Sequence, residues 1–222
     1  LMPQTNSAEL KLIDMTIRML IEPKFDIDRT LLVHTLADED ARKEALLAHA
    51  ATVMGVREDG VSNEEAAEAA LTVLSSAAKF KKLLETLGVD VPMKVSPSDP
   101  EKQIPALAKT DEDFLALQEH DDPLVASAAA ARLEAKSTIL QTRIQAFIDA
   151  SDSHPQNKMP IPLRYYGADT TGRWSGWGYN PQNLPRVNPY DPKPSDALRM
   201  SLVAPPGHMV VVADLSGIEL RV

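Results

Sequence analysis

Both tryptophans, all four tyrosines, six of nine glycines and ten of seventeen prolines in this 222-residue chain lie beyond residue 151. Ahead of that point the chain is dominated by Ala- and Leu-rich stretches at helical spacing. Tight turns need Gly and Pro, and half-buried strands favour aromatic and β-branched side chains, so the two stretches suit different architectures. The asymmetry predicts an α+β fold, mainly α-helical at first and closing with a small antiparallel β portion. The boundaries read as 1–26 for a lead-in, 27–150 for the helical part and 151–222 for the strand-and-loop part.

Helix punctuation divides the first part further. Ala8 to Ile21 reads as a helix ended by Pro23. Asp28 is placed to cap a long second helix, with Leu31, Leu32, Leu36, Leu46, Leu47, Val53 and Met54 on its apolar face, stopping near Gly55. Ser62-Asn-Glu-Glu65 has the spacing of a capping box, in which the hydroxyl and the carboxylate each take a free backbone N–H. A further helix runs from Ala77 to Leu87 and closes at Gly88. The Pro-rich stretch from Val91 to Pro105 reads as a loop, with helix restarting at Thr110-Asp-Glu-Asp113. Pro123, suited to a first helical turn, opens a long helix that is expected to reach Ala150.

Composition narrows the function classes. A net charge of −9 argues against binding polyanions over the whole surface. The acid is uneven, however: residues 1–150 hold 16 basic against 26 acidic side chains, and residues 151–222 hold 7 against 6. Any nucleic-acid contact must therefore be local. With no cysteine, neither a disulfide nor a thiolate zinc site can form. No run approaches the roughly 18 apolar residues of a membrane span, and no secretory leader is visible, so no membrane partner is expected.

Four groups of side chains could carry chemistry. The apolar run Met209-Val-Val-Val-Ala, ending in Asp214, reads as a buried strand that delivers one carboxylate at its end. Asp214 then either caps the next helix or is held rigidly as a ligand for a divalent metal. Arg132, Lys136 and Arg143 fall within roughly 40° of one another on a continuous helix, as a solvated face or as a phosphate-contacting stripe. Arg173 offers a planar fork that could engage a minor-groove acceptor and a sugar oxygen together, or stack on Trp174 or Trp177. Asn180, Gln182 and Asn183 are amides in a proline-flanked loop, where such residues ordinarily form turns.

Taken in order, Tyr165-Tyr-Gly-Ala-Asp-Thr-Thr-Gly-Arg173-Trp-Ser-Gly, Asn180-Pro-Gln182-Asn183-Leu-Pro-Arg186 and Asp214-Leu-Ser-Gly-Ile-Glu219-Leu-Arg221 resemble the front half of a family A DNA polymerase, in its phage-like branch. Val91-Pro-Met-Lys94, Ala106-Leu-Ala-Lys-Thr-Asp111 and Ala135-Lys-Ser-Thr138 extend the similarity over most of the chain. The resemblance implies that the helical part is a thumb gripping primer–template DNA and that residues 151–222 begin the palm. It assigns backbone contact to Lys136, Ser137 and Thr138, with Arg132 and Arg143 beside them, and minor-groove contact to Arg173, Gln182 and Asn183. It makes Asp214 and the Leu215 carbonyl ligands of Mg²⁺, two ions being expected in the complete enzyme. Leu215, Ser216 and Glu219 would line the deoxyribonucleoside triphosphate, Glu219 beneath the sugar, where it leaves no room for a 2′-hydroxyl. Arg221 would tie the motif to the palm by an ion pair, and the cytoplasm of a bacterium or infected host would be the setting.

Two departures stand out. Gly217 replaces the usual Gln, and Ala168-Asp-Thr-Thr-Gly172 is one residue longer than the phage pattern. The fingers motif and the second metal-binding Asp of the family are not in this sequence, so DNA synthesis is expected to require a second polypeptide or further segment that carries them. A fragment, a split-gene product and a piece preceding an intein all fit that expectation, as does a non-catalytic DNA-binding or protein-interaction role.

Overall fold

The structure, a computed structural model, describes residues 6–212. About 53% of them are helical and 13% lie in small antiparallel strand pairs, so the fold is α+β as expected. The elements in order are α1 (Ser7–Ile21), β1 (Asp26–Ile27), α2 (Arg29–Val53), α3 (Asn63–Ser75), α4 (Ala77–Thr86), β2 (Met93–Ser96), β3 (Asp99–Pro105), α5 (Glu112–Ala116), α6 (Pro123–Lys136), α7 (Ile139–Asp152), β4 (Leu163–Ala168), β5 (Arg173–Gly176), α8 (Ala197–Met200) and β6 (Leu202–Val203). Among the described residues they form two compact units, one of residues 37–139 and one of residues 6–36 with 140–212. These divisions differ from the expected boundaries at 26 and 150, because the first helix and α7 both pack with the aromatic C-terminal part.

The 37–139 unit is a helical cluster with one hairpin. Its core takes Leu47 and Ala51 from α2, Ala66, Ala70 and Leu74 from α3, Phe80 and Leu84 from α4, and Val125, Ala128 and Ala129 from α6. Alanine at so many contact positions lets helix backbones approach closely, while Phe80 and Phe114 meet edge to face at 6.1 Å and supply bulk. Caps set the ends: the Ser62 hydroxyl accepts from Glu65 N–H while the Glu65 carboxylate accepts from Ser62 N–H. Asp122 caps α6, which begins with Pro123.

Two expectations fail within this unit. Residues 91–105 are not a loop but contain the antiparallel pair β2–β3, with Lys94 opposite Ile104 and Val95 opposite Gln103. A two-stranded ribbon is all edge, so prolines whose missing N–H would break an inner strand fit at its turn and outer positions. The long helix from Pro123 to Ala150 is also two helices. It breaks at Ser137–Thr138, where Ser137 turns extended with φ −84° and ψ 98°. Hydroxyl side chains that bond to nearby backbone, followed by β-branched Ile139, are poor material for continuing a helix.

The other unit is built around Leu32, Ile144, Phe147, Ile148, Met159, Leu184 and Leu198. β1 pairs with β6, and β4 pairs with β5 as a hairpin with an irregular register between Arg164 and Ala168. Two side-chain bonds fasten α1 to that hairpin: Trp174 Nε1 donates to Thr16 Oγ1 at 2.9 Å, and Tyr165 Oη donates to Glu9 Oε1 at 3.2 Å. Both aromatics belong to the motif-bearing segment, so its place in the fold is set by hydrogen bonds as well as burial.

The expected buried strand beginning at Met209 is not observed in its described portion. Met209 to Val212 belong to no strand, and Met209 and Val212 are 82% and 87% exposed. An extended apolar run is buried only where neighbouring strands and a covering layer receive it, and no strand among the described residues pairs with this one. Asp214, Leu215, Ser216, Gly217, Glu219 and Arg221 lie outside the described residues. No described helix is long and apolar enough to cross a membrane.

Candidate nucleic-acid interface

β5 presents Arg173 at its first position, immediately after Gly172, and the side chain of Arg173 is exposed. Gly172 has φ +65°, in the left-handed region, and a Cβ built there would come within 2.7 Å of the Tyr166 ring. Only glycine fits that corner on both counts. Tyr166 itself has φ +52° and is 61% exposed, an uncommon backbone for an aromatic residue, held by the β4 irregularity. The tight turn therefore shows Arg173 and Tyr166 to solvent from neighbouring strands.

The amide loop is pinned to the same hairpin. Gly176 N–H donates to Gln182 Oε1 at 2.8 Å, joining the short 3₁₀ turn Pro181–Asn183 to the end of β5. A Cβ at Gly176 would meet Asn180 Oδ1 at 2.2 Å, so the loop seats against a bare backbone. Asn180 adopts the left-handed conformation with φ 43°, and its side-chain oxygen is buried without a hydrogen-bond partner. Tyr179, just before it, lies edge-on to Phe147 and donates its hydroxyl proton to the Pro160 carbonyl. Burial pushes its phenol pKa well up, so the ring stays neutral and anchors the loop.

Arg143 of α7 completes the arrangement. Its Nη2 donates to the carbonyls of Asn183 at 3.0 Å and Asn180 at 3.4 Å. The guanidinium thus clamps the backbone of the amide loop and leaves Gln182 and Asn183 with exposed side chains. Spacing alone could not reveal this, since 37 residues separate Arg143 from Asn180. Arg173 opens β5, and the loop carrying Gln182 and Asn183 is fastened to the other end of that strand through Gly176 and to α7 through Arg143.

The expected stripe of Arg132, Lys136 and Arg143 does not exist, because the helix that would carry it breaks at Ser137. Arg132 is 2% exposed in the 37–139 unit. Its guanidinium lies 4.6 Å from the Phe80 ring centroid, Nη1 donates to the Leu74 carbonyl, and Nε is buried without a partner. Burial holds its pKa below the usual arginine value, and no carboxylate among the described residues offsets it. Arg132 is therefore held inside the unit and not displayed on an outer helix face. Lys136, Ser137 and Thr138 are exposed at the break, and Lys43 Nζ donates to the Ser137 carbonyl at 3.2 Å, bracing the turn. Burial of its stem, then the positive charge of Arg132, lower the Lys136 pKa.

Among the described residues no group of three or more His, Asp or Glu side chains gathers as a metal site. The expected ligands Asp214 and Leu215 lie outside those residues. No family model and no curated protein matches this chain.

Proposed function

We propose that this chain is the thumb and first palm portion of a family A DNA polymerase of the phage-like branch, holding primer–template for template-directed DNA synthesis. One observation carries the reading: Arg173, Gln182 and Asn183, which the motif likeness singles out, lie on β5 and the loop fastened to it, with exposed side chains. A fork-shaped guanidinium and side-chain amides are groups suited to the minor groove, where each base pair offers purine N3 or pyrimidine O2 as an acceptor regardless of sequence. Such contacts test pair geometry without reading a sequence, which is what a polymerase requires near the primer terminus.

Backbone grip falls to Lys136, Ser137 and Thr138, which supply one cation and two hydroxyl donors on an exposed turn. A chain of net charge −9 can bind DNA through such local groups without a basic face. Asp214, Leu215, Ser216 and Glu219 enter the proposal through the motif alone. Magnesium and the deoxyribonucleoside triphosphate depend on those residues and on the fingers and second Asp carried elsewhere.

The test is Mg²⁺-dependent primer extension with this chain, with a polypeptide supplying the fingers and remaining palm, and with both. Extension by the pair and its loss in Asp214→Ala are the expected results. Extension by the pair that survives Asp214→Ala would refute the assignment.

A further inference from the structure

The 37–139 unit contains a cleft of about 480 Å³ between the β2–β3 hairpin, the segment that follows it, and the end of α6. Its charged lining is one-sided. Lys94, Lys109, Arg132 and Lys136 all border it, and Asp111, close by, is already taken. Lys94 Nζ lies 2.6 and 2.7 Å from the two Asp111 carboxylate oxygens, and Ala108 N–H donates to the same carboxylate at 2.8 Å. That latch closes the hairpin onto residues 108–111 and leaves three cations without a carboxylate in the lining. The other walls are apolar, formed by Ile104, Pro105, Leu107 and Leu133 among others.

Arg132 is the informative member. A buried guanidinium ordinarily has a carboxylate and bonds for its donors, because a charge taken out of water without a partner is strongly unfavourable. Here one terminal nitrogen has the Leu74 carbonyl, the ring of Phe80 covers a face, and Nε has no partner. Packing alone would be served equally by an uncharged side chain of the same length. An anion in the cleft would supply the missing counter-charge, with Lys136 and Lys109 reaching it from the rim.

We propose that this cleft binds a phosphate group carried on a body with an apolar face, that is, a nucleotide unit. A phosphate dianion would offset two of the three remaining cations, the guanidinium fork suits phosphate oxygens, and the apolar walls accommodate a base or sugar face. The phosphate could belong to a free mononucleotide or to a nucleotide within a DNA strand. Binding here needs neither magnesium nor a second polypeptide, so it is separable from DNA synthesis.

Calorimetric titration of the full chain at low salt tests this with inorganic phosphate, a deoxynucleoside monophosphate and a short primer–template as probes. Wild-type chain is expected to bind the monophosphate saturably and more tightly than inorganic phosphate. Arg132→Met, which keeps length and packing, is expected to weaken that binding roughly 10- to 100-fold. Lys136→Met and Lys109→Met, at exposed positions, each weaken it about tenfold and decide the matter if Arg132→Met fails to fold. Binding of primer–template alone, lost in the same variants, would place the phosphate in a DNA strand. The proposal is overturned if no probe binds or if all three variants bind the monophosphate as tightly as wild type. Unchanged monophosphate binding in the three variants would leave the proposed function standing, whereas a primer–template that fails to bind would count against that function as well.

Discussion

Gly172 and Tyr166 show how much of the candidate site rests on single backbone positions. A methyl group at residue 172 would both oppose φ +65° and strike the Tyr166 ring. Gly172→Ala is expected to lower stability by roughly 1–3 kcal/mol, read from urea unfolding. The Lys94–Asp111 pair makes a second prediction. Its hydrogen bonds, Lys94 first and Ala108 N–H second, hold the Asp111 carboxyl below the usual aspartate value. A carboxyl depressed in the folded state adds stability above its unfolded-state value and loses it as pH falls through the folded-state value. Urea midpoints followed into the acid range should therefore fall less steeply in Lys94→Met than in wild type. Legibility at this scale divides by reach. The caps at Asp28 and Ser62 were plain in the sequence because each partner lies within three residues. The Arg143 clamp and the burial of Arg132 depend on segments 40 and 58 residues away and could not be read from spacing.

Elements with strong local punctuation formed where their residues said they would, and those decided by neighbours did not. The α3 capping box is the clearest local case, and Ser62→Ala is expected to cost about 1 kcal/mol in unfolding measurements. The β2–β3 ribbon was hidden by its prolines, which exclude an inner strand but not a two-stranded one. The break between α6 and α7 was hidden because Pro123 and the Ala-rich run announce a helix, while Ser137-Thr138-Ile139 only weakly oppose one. Its consequence is large: the break puts Lys136 to Thr138 on an exposed turn and ends their helix before Arg143. Met209 to Val212 failed in the opposite sense. The run has the composition of a buried strand, yet a strand is a pairing and the described residues offer it no partner.

Across the molecule, the composition announced an α+β fold, but β1 and the β2–β3 hairpin lie ahead of residue 151, and it did not say which segments pack together. α1 joins the C-terminal part through Trp174–Thr16 and Tyr165–Glu9, contacts that span 158 and 156 residues. Composition carries no record of such pairings. What the fold does supply is a hairpin that carries Arg173 at one end of β5 and the loop of Gln182 and Asn183 at the other, all with exposed side chains. The most direct measurement is a double cycle on primer–template affinity, pairing Arg173→Ala with a 3-deazapurine that removes the minor-groove acceptor at the primer end. Each change alone is expected to weaken binding roughly tenfold, and both together no more than one. Unaltered affinity in Arg173→Ala, or losses that simply multiply, would contradict a minor-groove contact by Arg173.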